Sequence, residues 1–522
     1  MKQKITKYCW ILLASMLIAG VFVGCGRINV PGGLAGGTPA VECAEHADAD
    51  DNGLCDGCGM SVVVMLDLFA INDLHGKICD SDSQPGVDEL TTYLKQAYAT
   101  QEHVILLSAG DMWQGSSESN LTDGHLVTEW MNELDFAAMT LGNHEYDWGE
   151  EAIESNAELA EFPFLAINIF DRETDERAAY CRASVTVERG GATIGIIGAV
   201  GDCYSSISGE TSGGVYFKVG DELTDLVQAE ARSLRQAGVD FIIYAIHDGH
   251  GSSSTGTKTI TDADLSAYYD PVLSEGCVDI VFEGHTHQRY VLLDGEGVYH
   301  LQNGGENKGI CHAEAAVNFA NGNSTVYTAE FISSSVYAGM TDHPIVDTLL
   351  DKYRDQVSVA DRLLGYNSRY RSGDELRRIV ASLYRDVAED AFAEYPIVLG
   401  GGFLSVRNPY NLASGEVTYR QLQSIFPFDN TLVVCSVRGS DLLSRFINTS
   451  NDNYFISYTA LGETLLAGGQ GSIDPSATYY VLVDTYTSTY APNRLTEVAR
   501  YTSDVYARDL LAAFVESGGL ES

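Results

Sequence analysis

Short apolar runs alternate with amphipathic segments from Val62 onward, and this alternation predicts an α/β protein. Two segments, 88–99 and 221–238, have helical periodicity and begin with acidic residues, and Gly238 is expected to end the second helix. The predicted strands are VVVMLDLFAI (62–71), HVILLSA (103–109), FPFLAINI (162–169), ATIGIIGAV (192–200), DFIIYAI (240–246) and VDIVFEG (278–284).

The pattern changes near residue 343, which predicts two domains. The segment HPIVDTLLDKYRDQVSVA has helical periodicity, so a linker helix is predicted over 343–365, between a first domain at 62–342 and a second at 366–522. The second domain is expected to contain a helix near 374–394, a glycine run at 400–402, and strands at NTLVVCSV (430–437) and YYVLVDTY (479–486).

The N-terminus, residues 1–25, has the pattern of an export signal. Three lysines precede an apolar stretch at 10–23, and Cys25 follows a small residue. This arrangement resembles the signal of bacterial lipoproteins, in which the cysteine is lipidated and becomes the first residue of the mature chain. An ordinary secretory signal and an uncleaved anchor are the alternatives. Each of the three places the rest of the chain outside the cytoplasmic membrane.

Residues 26–61 are predicted to be a flexible tether that contains a small module rich in Cys, His and Asp. Cys43 and His46, and then Cys55 and Cys58, have the spacing of a small zinc site. A turn held by a disulfide and a solvated acidic linker are the two other interpretations of the module.

The net charge is −42, and this excess of acidic groups argues against a nucleic acid polymer as partner, because a phosphate backbone requires a Lys/Arg surface. The acidity is typical of a protein that stays soluble outside the cell.

Five apolar runs of the first domain are each followed by residues that bind metals. Carboxyl ends of parallel strands gather ligands in α/β proteins, so we expect these side chains to lie together. They are Asp73 and His75, then Asp111, then Asn143, then His247, and finally His285 and His287. His250, three residues after His247, is the alternative ligand from that strand.

This mixture of Asp, Asn and His favours borderline divalent ions such as zinc, manganese, iron or cobalt. The pairs 73/75 and 285/287 are two residues apart, so in an extended chain each pair points one way and could bind one ion. Asp111 has no neighbouring carboxylate partner and could bridge two ions. Two ions about 3.5–4 Å apart can hold a phosphoryl group and activate water, which predicts a two-metal hydrolase.

The motifs NDLHG, GDMWQG, GNHEYDWG, a strand-end His and GHTH, in this order, resemble the calcineurin-like metallophosphoesterases, and most nearly the 5′-nucleotidase family. The resemblance implies a four-layer αββα sandwich followed by a smaller mixed α/β substrate-binding domain. It assigns Asp73, His75, Asp111 and His287 to one ion, and Asp111, Asn143, His247 and His285 to the other.

The resemblance also implies a role for His144 beside the metals. His144 would face the substrate phosphate, and Asp147 would orient its ring and keep it basic. The alternative is a His in a turn and an Asp that caps a helix. Glu145 is not assigned as a ligand.

The stretch 419–434 resembles the nucleoside-binding signature of the family's second domain. The resemblance implies that Phe428 and Tyr486 stack on the base, that Asn430 contacts its edge, and that Arg371, Arg377 and Arg407 supply basic contacts. Arg407 stands two residues from the family's position, and the family's glycine-rich run after the second aromatic is absent, so the substrate preference is expected to differ.

The sequence therefore predicts a lipid-anchored, extracytoplasmic phosphohydrolase, a monomer or weak dimer, in which a metal-activated hydroxide removes phosphate from nucleotides. The alternatives are a 2′,3′-cyclic-nucleotide phosphodiesterase, a UDP-sugar hydrolase, and, from a different class, an inactive surface binding lipoprotein or a metal-scavenging one.

Overall fold

The computed structural model describes residues 46–521, except for 81–84, 208, 210, 252–256, 260–276, 392–396, 404–410, 443–453, 459–473, 486–487, 489–494 and 501–505. Cys25 and Cys43 therefore lie outside the described residues, as does the apolar stretch of the predicted signal. Among the helices within the described ranges, none has the length and apolar character needed to span a bilayer.

The described strands form two large sheets, a five-stranded sheet and two small pairs. The strands are β1 (Val63–Ile71), β2 (Val104–Ser108), β3 (Ala138–Thr140), β4 (Phe164–Leu165), β5 (Ile169–Asp171), β6 (Ser184–Arg189), β7 (Ala192–Val200), β8 (Val215–Phe217), β9 (Phe241–His247), β10 (Thr257–Thr259), β11 (Ile280–Glu283), β12 (Arg289–Leu293), β13 (Tyr299–Asn303), β14 (Gly309–Asn318), β15 (Asn323–Ser333), β16 (Leu363–Asn367), β17 (Ile397–Phe403), β18 (Gly415–Thr418), β19 (Leu432–Arg438), β20 (Tyr454–Tyr458), β21 (Thr478–Asp484) and β22 (Leu495–Arg500).

The α-helices lie outside the sheets. They are Val87–Thr100, Ser117–Asn120, His125–Asn132, Glu150–Leu159, Asp221–Gln236, Pro344–Lys352, Arg354–Val357, Gly373–Ala391, Tyr419–Ile425, Gly439–Asp441 and Ala507–Glu516. The two helices predicted at 88–99 and 221–238 are both present, and Gly238, with φ of +89°, follows the end of the second.

The first domain is a sandwich of two facing sheets. One sheet has the order β15-β14-β1-β2-β3-β4 and the other β10-β12-β13-β11-β9-β7-β6. Alternate residues of β1, such as Leu66 and Leu68, share one core with Ile243 of β9 and Phe282 of β11. Strands β1 to β4 are parallel to one another in one sheet, as are β7, β9, β11 and β13 in the other. The carboxyl ends of each set therefore lie along the same edge of its sheet.

Helices cover both outer faces of the sandwich. Leu90 and Trp130 of two helices pack with Phe69, which points to the outer side of β1. On the other sheet, Leu223 and Val227 of Asp221–Gln236 lie in the outer core. This arrangement of helix, sheet, sheet and helix confirms the predicted four-layer fold, since an amphipathic helix and a sheet face each bury one apolar side.

The predicted strand at 162–169 is wrong as a single element. It divides into β4 and β5, and Asn168, which lies between them, binds β7 through its side chain. The Asn168 side chain accepts a hydrogen bond from Val200 N at 3.0 Å and donates one to Val200 O at 2.7 Å. The Asn168 side chain thereby takes the place of a neighbouring strand for the backbone N–H and C=O of Val200, the last residue of β7.

The second domain has a mixed sheet of order β20-β17-β21-β19-β22, with helices packed against it. The predicted linker helix over 343–365 is also wrong as one element. It consists of two helices that end at Val357, and residues 363–365 already belong to β16, which pairs with β18. Strand pairing supplies the backbone hydrogen bonds there, which excludes continued helix.

Candidate metal centre

Seven residues at or just after the carboxyl ends of five strands meet between the edges of the two facing sheets. Strands β1, β2 and β3 contribute from one sheet, and β9 and β11 from the other. Five of the seven have backbone φ angles between 51° and 69°, in the left-handed region that non-glycine residues rarely adopt: Asp73, His75, Asp111, His285 and His287. Such strain persists where the surrounding structure over-determines it, and it clusters at functional sites.

The left-handed backbone corrects the expectation that His285 and His287, two residues apart, lie in an extended chain and bind the same ion. His285 and His287 point to different places. His287 Nε2 lies 3.3 Å from Asp73 Oδ1, whereas His285 Nδ1 lies 2.9 Å from Asn143 Oδ1. The two histidines of GHTH therefore belong to two neighbouring groups.

The first group combines Asp73, His75 and His287 with one oxygen of Asp111. His75 Nε2 lies 2.9 Å from His287 Nε2, 3.9 Å from Asp73 Oδ1 and 4.0 Å from Asp111 Oδ2. Two imidazole nitrogens and two carboxylates thus point at a common position.

The second group is built around the same Asp111. His247 Nε2 lies 3.0 Å from Asp111 Oδ2 and 3.2 Å from Asn143 Oδ1, and the ring of His285 lies beside both. His250 is elsewhere, with its ring against Tyr290 and its Nε2 4.0 Å from Glu283 Oε2.

Hydrogen bonds at the far side of the rings fix which nitrogen faces each group. His75 Nδ1 donates to Gln114 O at 2.8 Å, and His247 Nδ1 donates to Ala109 O at 2.7 Å. In both rings the lone pair is therefore on Nε2, which is the nitrogen that points at the carboxylates. Outer partners of this kind hold metal-binding histidines in proteins, and the donor set fits two divalent ions that share Asp111.

Charge is balanced inside the centre. Burial acts to raise the pKa of Asp111, but His247 and His144 lower it well below its usual range. Burial acts to lower the pKa of His247, but Asp111 raises it to about 10. Burial and then the charge of His247 lower the pKa of His285 to about 4. The opposite charges that Asp111 and His247 can carry therefore stabilise each other.

Glycines let the loops of the two sheets approach each other. A Cβ added at Gly142 would lie 2.3 Å from Asp111 Oδ1, and one at Gly110 would lie 2.6 Å from His247 Nδ1. Because any larger residue would enter the space of a ligand side chain, these positions require glycine.

Glu145 organises the ligand loops, a role that the sequence analysis missed. Its fully buried carboxylate accepts hydrogen bonds from the backbone N–H groups of Asp111, Met112 and Gly142, at 2.9, 2.8 and 2.7 Å. Burial, and then the charge of Asp111, raise its pKa to about 7. Glu145 thus joins the loop after β2 to the loop after β3. The signal available in the sequence was an acidic residue next to a ligand motif.

His144 lies at the rim of the centre, where Asp147 holds its ring. His144 Nδ1 and Asp147 Oδ2 are 2.8 Å apart, and the backbone N–H of His144 donates to Asp111 Oδ1 at 2.8 Å. The His144 side chain is 22% exposed, so a substrate can reach it.

Two family models match the chain in the order of its domains. The calcineurin-like phosphoesterase family matches residues 67–289, and the 5′-nucleotidase C-terminal domain family matches residues 377–491. The chain belongs to the 5′-nucleotidase family. It is accordingly a hydrolase that acts on phosphoesters, and its family uses divalent metal cofactors.

Individual relatives of this family span most of the chain. Protein UshA of Yersinia enterocolitica is 25% identical over 474 residues, which cover 79% of this chain and 83% of that protein. The 5′-nucleotidase of Vibrio vulnificus is 26% identical over 427 residues, or 72% and 74%. The solved 5′-nucleotidase precursor of Thermus thermophilus has a TM-score of 0.65 at 18% identity over 87% of this chain and 96% of that one, and shares the fold.

In this member of the 5′-nucleotidase family, the second domain reaches the metal centre through Phe428. Its ring stacks on His144, with centroids 5.5 Å apart. Pro427 O accepts hydrogen bonds from two side-chain amides of the first domain, Gln114 Nε2 at 3.2 Å and Asn120 Nδ2 at 3.0 Å. The sequence analysis missed both amides, although Gln114 lies within GDMWQG and Asn120 follows that motif.

The loop that carries Phe428 is also held from within its own domain. Arg508 donates to Phe428 O at 3.2 Å and forms an ion pair with Asp429. Arg508 lies in a helix far along the chain, and the sequence analysis did not single it out.

The predicted substrate-binding residues have different outcomes. Arg371 is buried, and its guanidinium donates hydrogen bonds to Asn367 Oδ1, Glu375 Oε1 and Leu520 O within the second domain, so its contact with substrate stays a prediction. Arg377 is buried and Asn430 is half-buried, and their roles stay predictions. Arg407 and Tyr486 lie outside the described residues.

Proposed function

We propose that the chain hydrolyses nucleotides with two divalent ions, releasing a nucleoside and phosphate. The observation that carries the proposal is the pair of ligand groups that share Asp111, with His144 and Asp147 beside them. Two divalent ions held by these two groups would neutralise the negative charge of the phosphoryl group and lower the pKa of a bound water molecule.

The protein side chains then have separate tasks. Water adds to phosphorus, the ester P–O bond breaks, and the leaving oxygen takes a proton. His144 donates a hydrogen bond to the phosphoryl oxygens as their negative charge increases, and Asp147 keeps the ring oriented and charged. Phe428 offers a flat apolar surface next to His144, where a base can stack with a gain of about 1–3 kcal/mol.

A nucleotide is proposed as the substrate because Phe428 of the second domain lies against His144, the histidine proposed to face the phosphate. A cyclic phosphodiester or a nucleotide sugar could use the same rim, and an inactive binding protein would keep the fold without turnover. The strained ligand loops favour an active enzyme, since strain of this kind is kept for function.

One assay distinguishes these functions. Purified protein with manganese is incubated with AMP, UDP-glucose, 2′,3′-cyclic AMP and ribose 5-phosphate, and released phosphate and nucleoside are measured. We expect AMP to be hydrolysed with a lower KM than ribose 5-phosphate, and a chelator to abolish turnover. Faster turnover of the cyclic or sugar substrate would select that alternative, and no turnover of any ester contradicts the proposal.

We also propose that the chain is exported and anchored by a lipid on Cys25, on the grounds of the lysines, apolar stretch and cysteine of its first 25 residues. The Cys25→Ser variant is expected to move from the membrane fraction to the soluble or secreted fraction. An unchanged distribution of that variant between the fractions contradicts lipid anchoring.

A further inference from the structure

His46, Cys55 and Cys58 bring three metal-binding atoms together at the start of the described chain. Their ligand atoms lie within 4.8 Å of one another, and His46 Nδ1 is 3.6 Å from Cys58 Sγ. In a tetrahedral zinc site, with Zn–S of about 2.3 Å and Zn–N of about 2.1 Å, a nitrogen and a sulfur ligand are also about 3.6 Å apart. The spacing of this pair is therefore that of two ligands on one ion.

The turn from Cys55 to Gly59 has a backbone that brings the two sulfurs to the same side. Gly59 N donates to Cys55 O at 2.7 Å, and Cys55 N donates to Met60 O at 2.8 Å. Gly59 has a φ of +71°, which only glycine adopts without strain. The Cys55 side chain is buried, so its sulfur lies on the inner side of the turn.

Contacts independent of the sulfurs dock this segment on the first domain. The Asp48 carboxylate accepts hydrogen bonds from Gly53 N at 2.8 Å and from Asn318 Nδ2 at 2.6 Å. The ring of His46 packs edge-on against Phe319, which follows β14. The segment thus stays in place on the hairpin of β14 and β15 while its Cys and His side chains face one another.

This cluster is separate from the catalytic centre. It adjoins the amino end of β1, where Val62 N donates to Gly53 O, whereas Asp73 follows the carboxyl end of that strand. Nine residues of β1 lie between the two ends, which corresponds to about 30 Å.

We propose that His46, Cys55 and Cys58 bind a structural zinc ion, which closes residues 46–61 into a small module on the edge of the phosphoesterase domain. Two thiolates and an imidazole favour zinc over the hard cations magnesium and calcium. Cys43, the fourth residue of the sequence motif, lies outside the described residues, and the proposal rests on the other three. The ion would fix the point at which the N-terminal tether joins the folded enzyme.

The test measures bound metal in the full chain, purified under reducing conditions, equilibrated with zinc and dialysed. We expect the Cys55→Ser and Cys58→Ser variants each to bind one zinc ion fewer than the wild-type protein. Cys79→Ser is the matched control, because Cys79 is exposed and outside the cluster, and it should bind as much zinc as the wild type. Phosphoesterase activity retained in Cys58→Ser would show that the lost ion is not a catalytic one.

A second measurement replaces zinc by cobalt and records an absorption spectrum. Cobalt bound in place of zinc should give the intense charge-transfer absorption of cobalt–thiolate bonds in the wild-type protein, and Cys58→Ser should lose that band. Equal zinc content in wild type and both variants overturns the proposal. So does a native disulfide at Cys55 or Cys58, detected by mass spectrometry of peptides from unreduced protein. Neither result depends on which phosphoester the enzyme hydrolyses.

Discussion

Replacement of His144 by alanine is expected to lower kcat by about 10²–10³-fold while the metal content stays at the wild-type value. The ring lies at the rim of the centre, held by Asp147 at 2.8 Å, and its backbone rather than its side chain contacts Asp111. Loss of the ring removes a hydrogen-bond donor to the phosphoryl oxygens, whose negative charge increases in the transition state. Steady-state kinetics with AMP and elemental analysis of the purified variant measure the two quantities.

Two variants serve as comparisons for this prediction. Asp147→Asn keeps the ring but removes its negative partner, so a smaller decrease in kcat is expected. His125→Ala removes another histidine of the same domain, whose Nε2 lies 2.8 Å from Ser155 Oγ, and should leave kcat unchanged. If His144→Ala loses a metal ion, the side chain is a ligand, and its proposed role at the phosphate is wrong.

Asp111→Asn is expected to have a larger effect, with turnover reduced on the order of 10³-fold or more and fewer than two ions bound. Asp111 is shared by the two ligand groups, with Oδ2 3.0 Å from His247 Nε2 and 4.0 Å from His75 Nε2. An amide of the same shape keeps the hydrogen bond from His144 N but removes the charge that both ions would share. Metal titration followed by elemental analysis gives the stoichiometry.

The matched control is Asp67→Asn, which removes a buried carboxylate of the same domain that pairs with His312, away from the ligand loops. This variant should bind two ions and turn over AMP at the wild-type rate. Two ions and normal turnover in Asp111→Asn would contradict a shared bridging carboxylate.

The strands that position the site could be predicted from the sequence because they are buried on both faces. The run at 192–200 corresponds to β7 without a shift, the run at 62–71 begins one residue before β1, and the run at 240–246 is shifted by one residue from β9. Continuous apolar runs of this kind are typical of parallel strands covered by helices or a second sheet. The run at 162–169 failed because the Asn168 side chain bonds to another strand, which local pattern does not reveal.

The candidate ligands could be predicted because metal-binding residue types follow the strands directly, but their grouping came from the family resemblance and not from the spacing rule. His285 and His287 are two residues apart, and the extended-chain rule placed them on one ion. Their left-handed backbone, with φ of 69° and 52°, sends the rings to different partners. Local spacing does not determine such a conformation, since it is imposed by contacts from the rest of the fold.

The sequence by itself determined the α/β class and the candidate ligand types at strand ends, because buried strands and residue chemistry are local properties of the chain, and its motifs carried the family resemblance that implied the αββα fold. The tertiary structure showed how His285 and His287 come to face different ligand groups, that Glu145 joins two ligand loops, and that Phe428 lies on His144. These contacts connect residues far apart in the chain. They form only when two sheets face each other and the second domain packs at their edge, so no local pattern records them.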